Sequence, residues 1–181
     1  MNLYISDLHF DSYKKMDEQL IKNWNENVDK DDAVYILGDF HWGNKKIWLK
    51  LLPELNGYKF LIKGNHDLKQ YPAEIKRFFA DIKDYKEIKD NKRTVIMQHY
   101  PIMCYRDSYD ENVWMLHGHT HNTVEQGYTR RWTKELVDNY IESPDNCGHI
   151  MNVGCMMPWM DYRPQPLDVI IDAWHKIYKN N

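Results

Sequence analysis

The chain has 181 residues, and its 24 basic and 27 acidic side chains give a formal net charge of −3. This length suits a single domain, which we expect over residues 1–181. The slightly acidic balance argues against a generic nucleic-acid binder, which usually has a basic face. No apolar run is long enough to span a membrane, and the N-terminus lacks the features of a signal peptide. The three cysteines have no CxxC spacing, so we expect a reducing, cytoplasmic setting and no membrane partner.

The first half of the chain predicts alternating strands and helices. Short apolar runs that end in polar residues indicate strands at 2–6, 33–37 and 58–62. Apolar residues at helical spacing indicate helices at 16–28 and 47–55. This alternation is typical of an α/β domain.

The second half is predicted to be richer in strands. A short helix is expected from Tyr71 to Phe79, and a short amphipathic helix at 132–141. The turn Asp90-Asn91-Lys92 has the composition of a hairpin connection between two of the strands. The strands predicted here are 82–89, 93–98, 113–116, 150–153 and 167–171.

Aspartate, asparagine and histidine residues cluster where five predicted strands end. They lie in Asp7-Leu8-His9, Gly38-Asp39, Gly64-Asn65-His66-Asp67, His99 and Gly118-His119-Thr120-His121. In α/β sheets, ligands bind outside the carboxyl ends of the strands. Side chains at positions i and i+2 of an extended segment share a face, so the members of the pairs Asp7/His9 and His119/His121 can reach one ion.

The residue types in this cluster suit a metal ion. Imidazole and carboxylate groups bind manganese, iron, zinc or nickel, and the cluster contains no cysteine, which argues against a structural zinc knot. A glycine precedes a candidate ligand at Gly38, Gly64 and Gly118. Glycine permits the turn and the close backbone approach that such loops need.

The ordered set DxH, GD, GNHD, H and GHTH resembles the calcineurin-like metallophosphoesterase superfamily. The resemblance implies a four-layer α/β/β/α sandwich with two mixed sheets and a two-metal site at their strand ends. Protein Ser/Thr phosphatases carry GDxVDRG and GNHE instead, and Trp42 stands where purple acid phosphatases place a metal-binding tyrosine. The chain looks more like small prokaryotic or phage-type phosphoesterases.

The resemblance also implies roles for individual residues. It places Asp7, His9 and His121 on one divalent metal, Asn65, His99 and His119 on a second, and Asp39 between the two. Mn²⁺ is the expected metal, with iron, zinc or nickel as alternatives. The implied reaction is hydrolysis, in which a water activated by the two metals attacks phosphorus. His66 would protonate the leaving oxygen, and Asp67 would orient the His66 ring.

The expected substrate is a small phosphate ester, and a phosphodiester is favoured because small relatives often prefer diesters. Arg163 is a candidate substrate contact because a guanidinium binds phosphate through two hydrogen bonds. His41 is another, since it lies two residues past Asp39. Asn152 is expected to shape a loop near the metals. A nuclease or nucleic-acid end-processing enzyme and a non-catalytic scaffold on the same fold stay as alternatives, and the oligomeric state stays open.

Overall fold

The structure is a computed structural model that describes residues 1–8, 14–41, 45–139 and 148–179. The strands are β1 (Asn2–Ile5), β2 (Ala33–Ile36), β3 (Tyr58–Ile62), β4 (Phe79–Lys83), β5 (Tyr85–Asp90), β6 (Arg93–Gln98), β7 (Val113–His117), β8 (Ile150–Asn152) and β9 (Gln165–Pro166). The helices are α1 (Lys14–Asn27), α2 (Lys45–Leu51), α3 (Ala73–Lys76), α4 (Val124–Asn139) and α5 (Leu167–Tyr178), with a 3₁₀ turn at Leu52–Glu54. Within these ranges, no helix combines the length and apolar character needed to cross a lipid bilayer.

The strands form two mixed sheets. The first has the order β4-β3-β2-β1-β9, in which β1 to β4 are parallel and β9 is antiparallel to β1. The second has the order β5-β6-β7-β8, in which β6 to β8 are parallel and β5 is antiparallel to β6. The predicted α/β fold with two mixed sheets is therefore confirmed.

An aromatic ladder on the first sheet faces the second sheet. Tyr35 stacks on Tyr4 and on Phe60, with ring centroids 5.5 and 4.7 Å apart. From β5, the Lys86 ammonium lies 5.4 Å from the centre of the Phe60 ring, and the Tyr4 hydroxyl donates a buried 2.7 Å hydrogen bond to Asp90. These contacts bring the two sheets face to face, so loops at their carboxyl ends can share one site.

Residues 167–171, which were predicted as a strand, form the first part of helix α5. The run is rich in β-branched residues, which favours a strand in a short window. Over the longer segment, however, the buried residues recur three or four positions apart, as on one face of a helix. They are Leu167, Ile170, Ile171, Trp174 and Tyr178. Pro166 stands at the N-cap, where its fixed φ is compatible with the start of a helix.

Further predicted boundaries differ in the structure, and the helix predicted at 47–55 is α2 (Lys45–Leu51) followed by the 3₁₀ turn. The predicted strand 82–89 is divided between β4 and β5, because the chain passes from the first sheet to the second at Asp84. Helix α3 ends at Lys76, short of the predicted Phe79, which begins β4. Helix α4 begins at Val124, earlier than predicted, and its predicted end falls on residues 140 and 141, outside the described ranges.

The predicted hairpin is confirmed at residues 90–93. Asn91 and Lys92 have φ angles of 47° and 70°, and Asp90 pairs with Arg93 across the two strands. Two-residue hairpin loops favour turns with positive φ at both central positions, because the twist of such turns matches that of the strands.

Candidate metal centre

The two sheets are joined at the end of β1. The Ser6 N–H donates to Val153 O at 2.8 Å, and the Cys155 N–H donates to Ser6 O at 2.9 Å, which forms a parallel bridge between Ser6 and Gly154. The Ser6 hydroxyl donates to Leu37 O at 2.8 Å. This junction fixes the chain immediately before Asp7 against both the β2 loop and the β8 loop.

Asp7 is fully buried and points towards the loop that follows β7. Its carboxylate accepts hydrogen bonds of 3.1 and 3.2 Å from the His119 backbone N–H. The Nε2 atom of His121 lies 3.7 Å from Asp7 Oδ1. Asp7, His119 and His121 all have positive φ angles, of 52°, 65° and 44°. Residues other than glycine adopt this region at a cost, and such strain is concentrated at functional sites.

Asp39 repeats this pattern after β2, with 1% exposure and a φ of 51°. Its Oδ1 accepts a 2.9 Å hydrogen bond from the His66 N–H, while its buried Oδ2 has no hydrogen-bond partner and lies 3.5 Å from His99 Nε2. Burial opposes charge on both Asp39 and His99, but their attraction prevails, which lowers the pKa of Asp39 and raises the pKa of His99. A buried carboxylate oxygen without a hydrogen bond is costly unless a ligand completes it.

His99 presents one ring nitrogen to the same place. Its Nδ1 lies 2.8 Å from Leu37 O, so Nδ1 carries the donating hydrogen and Nε2 of the neutral ring is an acceptor. This Nε2 lies 2.9 Å from Asn65 Oδ1, which is also an acceptor. A proton on Nε2 makes this contact a hydrogen bond, and a metal cation held by both atoms would take the place of that proton. The carbonyl that fixes Nδ1 is the kind of partner that metal-bound histidines have.

Two groups of side chains offer metal-ligand atoms that all lie within 4.8 Å of one another. One group is Asp39, His99 and His119, and the other is Asp7, Asp39 and His121. Asp39 belongs to both, which is the position that the family resemblance gives it. The residues present therefore fit two cations with a shared carboxylate. His9 lies outside the described residues.

Glycines make room for these side chains. An ideal Cβ at Gly64 would overlap Asp39 Oδ1, one at Gly118 would overlap Ser6 Oγ, and one at Gly38 would overlap His99 Nδ1. Gly38 also has a φ of 91°. The predicted close backbone approach at these glycines is confirmed.

Asp67 holds two of the loops together. Its carboxylate accepts hydrogen bonds from the backbone N–H groups of Asp39, Phe40 and Gly64, at 3.1, 2.8 and 2.8 Å. Burial raises the pKa of Asp67 to about 6, although the N–H groups of Gly64 and Phe40 oppose this rise. These contacts make Asp67 a positioning residue for the loops after β2 and β3. Its predicted action on the ring of His66, which is exposed, stays a prediction.

A buried polar network supports the loop that carries His119 and His121. The Asn152 amide donates to Thr120 Oγ1, Gln126 Oε1 and His121 O, at 3.0, 2.8 and 3.2 Å. Thr120 Oγ1 also donates to Gln126 Oε1 at 2.6 Å. The expectation that Asn152 shapes this loop is confirmed. Gln126 was not identified from the sequence, where a glutamine in a polar helix carries no signal of burial.

The contacts of the two predicted substrate-binding residues, His41 and Arg163, do not by themselves indicate a ligand. His41 is 5% exposed, and its carbonyl accepts a 3.3 Å hydrogen bond from the Trp48 indole; burial of this kind favours a packing role. The Arg163 guanidinium pairs with Asp161 at 3.2 Å, and its side chain is 37% exposed. Contact of either residue with a substrate stays a prediction.

Comparison with known proteins identifies a family for this chain. The profile of the family described as calcineurin-like phosphoesterase matches residues 3–178. An uncharacterized protein of Methanocaldococcus jannaschii is 33% identical over 169 residues, which cover 92% of this chain and 80% of that protein. The Gene 66 protein of Mycobacterium phage D29 is 28% identical over 157 residues, with 67% of this chain and 78% of the phage protein covered.

A solved structure shares the fold. A protein of unknown function from Aquifex aeolicus superposes with a TM-score of 0.63 at 24% identity, over 96% of this chain and 98% of the other. At this identity the likeness concerns the fold alone. The family match, by contrast, spans both sheets and every loop that converges on Asp39. The chain therefore belongs to the calcineurin-like phosphoesterase family.

Proposed function

We propose that this protein is a metal-dependent phosphodiesterase with two divalent ions in its site. The observation that carries the proposal is the position of Asp39, which is common to both groups of potential ligands and keeps one buried oxygen without a hydrogen bond. The proposed ligands are Asp7, His9 and His121 for one ion, Asn65, His99 and His119 for the other, and Asp39 for both. Oxygen and imidazole donors without thiolate suit Mn²⁺, which we propose as the metal.

The charge of the site supports an anionic substrate. The two aspartates, Asp7 and Asp39, cannot neutralise two divalent ions, so positive charge remains to attract a phosphate group. When bound, such ions polarise phosphate oxygens and lower the pKa of a coordinated water. We propose that the substrate is a small phosphodiester and that the protein acts on it in the cytoplasm.

His66 is the proposed general acid. Its backbone N–H is held by Asp39 Oδ1 at 2.9 Å, so the residue lies beside the ligand groups, and its exposure leaves the ring accessible to a bound ester. An imidazolium at this position can give its proton to the leaving oxygen as the ester bond to phosphorus breaks. The proposed ligand Asn65 and the proposed acid His66 are thus adjacent positions of one loop, the Asn65-His66-Asp67 segment.

The test compares bis(4-nitrophenyl) phosphate with 4-nitrophenyl phosphate, each with Mn²⁺ and with a chelator. We expect turnover that requires metal and favours the diester. A preference for the monoester would overturn the diester assignment. If calorimetry shows bound Mn²⁺ but neither ester is hydrolysed, the assignment as a phosphodiesterase is wrong.

Replacement of His66 tests the acid. His66→Gln should lower kcat about 10²- to 10⁴-fold while Mn²⁺ affinity stays within about twofold. The loss should be larger for an alkyl leaving group than for 4-nitrophenolate, which needs little protonation. His175→Gln, a change on α5, is the control. Unchanged turnover of His66→Gln with the alkyl ester would exclude the acid role.

A further inference from the structure

Tyr100 has an unusual position beside the candidate metal centre. Its ring contacts the ring of His119 edge to face, with centroids 4.4 Å apart and an angle of 62°. It contacts the His99 ring in the same manner, at 5.2 Å and 71°. These two histidines belong to one of the ligand groups, so the phenol ring lies next to the atoms that would hold a metal.

The accessibility of these three rings differs. His99 is buried at 1%, the side chain of His119 is 27% exposed, and Tyr100 is 45% exposed. Tyr100 therefore covers part of the histidine pair and presents its own aromatic surface to solvent. Single exposed tyrosines are ordinary on protein surfaces, as Tyr58 and Tyr109 illustrate here at 59% and 63%. Tyr100 differs from these two in its contact with the ligand rings.

We propose that Tyr100 is a specificity-determining residue, whose exposed face binds a planar ring in the ester group of the substrate. The proposal rests on the proposed function, because the phosphate must bind at the adjacent metal site. Because Tyr100 contacts the rings of His99 and His119, its exposed face is within reach of an ester group on a phosphate held there. Flat aromatic groups stack on exposed tyrosines in a way that tolerates different ring systems. The substrate class is then an aryl or nucleobase-containing phosphate ester rather than a simple alkyl or sugar ester.

The test measures binding rather than turnover. Adenosine 5′-monophosphate and ribose 5-phosphate carry the same phosphate group, but only the first has a planar ring. Calorimetry with the Mn²⁺-loaded protein should show that the nucleotide binds about tenfold more tightly. In Tyr100→Leu this ratio should fall to about one to two, whereas in Tyr100→Phe, which keeps the ring, it should stay near tenfold.

Controls separate this proposal from the function on which it rests. Tyr58→Leu changes an exposed tyrosine at the first residue of β3, at the opposite end of that strand from Asn65, and should leave the ratio unchanged. A merely structural role of Tyr100 would weaken both compounds equally and keep the ratio, which would overturn the proposal. Equal binding of both compounds to the unaltered protein would overturn it too, while the phosphodiesterase assignment would stand. Binding of neither compound would overturn the proposal for Tyr100, whereas the phosphodiesterase assignment is decided separately by metal-dependent hydrolysis of bis(4-nitrophenyl) phosphate.

Discussion

The backbone N–H of Asp39 donates a 3.1 Å hydrogen bond to the carboxylate of Asp67, 28 positions further along the chain. Because the same carboxylate accepts hydrogen bonds from the N–H groups of Phe40 and Gly64, one buried side chain joins the loop after β2 to the loop after β3. Asp67→Asn replaces an acceptor by an amide N–H₂ that faces these donors. We expect a loss of about 1–3 kcal/mol in the free energy of unfolding, measured by urea denaturation.

The same variant should also bind Mn²⁺ more weakly, as measured by calorimetry, because the loops that carry Asp39 and Asn65 lose their common support. Asp84→Asn is the matched control, since Asp84 is 80% exposed and forms a surface ion pair with Lys63. Its effect should stay within about 0.5 kcal/mol. Equal effects of the two substitutions would contradict the positioning role of Asp67.

Gly64→Ala should damage the site through a single methyl group. The added Cβ would overlap Asp39 Oδ1 and lie close to Asp39 N, so the β2 loop must shift. We expect at least a tenfold loss of Mn²⁺ affinity in a calorimetric titration, since loops that hold ligands tolerate little displacement. Gly127→Ala is the matched control, because a Cβ there meets open space. Because Gly127 lies within α4, Gly127→Ala should raise the free energy of unfolding by about 0.5–1 kcal/mol. It should leave metal binding unchanged. Identical metal affinities in both variants would refute the close-approach argument.

Metal removal should lower the melting temperature. Asp7 and Asp39 are both buried, and cations that bind only the folded state stabilise it by about 2.7 kcal/mol at a concentration of 100 Kd. In thermal scans, Mn²⁺ should raise Tm over the chelated protein. Asp39→Asn should abolish most of this rise, because Asp39 serves both ligand groups. The rise should persist in Asp172→Asn, on an exposed position of α5. If Mn²⁺ raised the Tm of Asp39→Asn as much as that of the unaltered protein, the metal would bind at a site that does not include Asp39.

Stability should increase with pH between about 8 and 10.5 through Lys59. Burial lowers the pKa of this lysine to about 8, and its ammonium group donates to Leu55 O and Gly57 O. In this window the unfolded chain binds more protons than the folded one, so the free energy of unfolding rises, by at most about 1.4 kcal/mol per pH unit. Urea titrations from pH 7 to 9.5 should show a steeper rise in the unaltered protein than in Lys59→Met. Parallel curves would show that Lys59 titrates normally.

The motif residues could be located from the sequence because each follows a strand that has a clear signal. The apolar runs before Asp7 and Asp39 and the run before Asn65 lead directly into polar residues, and parallel strands bring such ends to one edge. Periodicity failed where a short window favoured the wrong element, as at residues 167–171. It also failed at Asp84, where a continuous extended segment changes sheets, since pairing partners are not encoded locally.

The contacts that hold the ligand residues in place were harder to predict from the sequence than the ligand residues themselves. The left-handed backbone at Asp7, Asp39, His119 and His121 runs against the intrinsic preference of these residues, so tertiary contacts must impose it. The buried acceptors of Asp67 and Gln126 depend in the same way on which loops meet in space. A sequence motif names the atoms that bind, whereas the side chains that hold those atoms in place are recognised only from the fold.

The candidate metal centre needs both sheets, which are joined at Ser6. Asp7 and Asp39 follow strands of the first sheet, and His99, His119 and His121 follow strands of the second. Each of the two ligand groups draws on both, and Ser6 ties the halves together through backbone hydrogen bonds. Among the residues that the structure describes, neither of these two groups is completed by a single sheet. A metal ion bound by either complete group would therefore report that both sheets are folded and in contact.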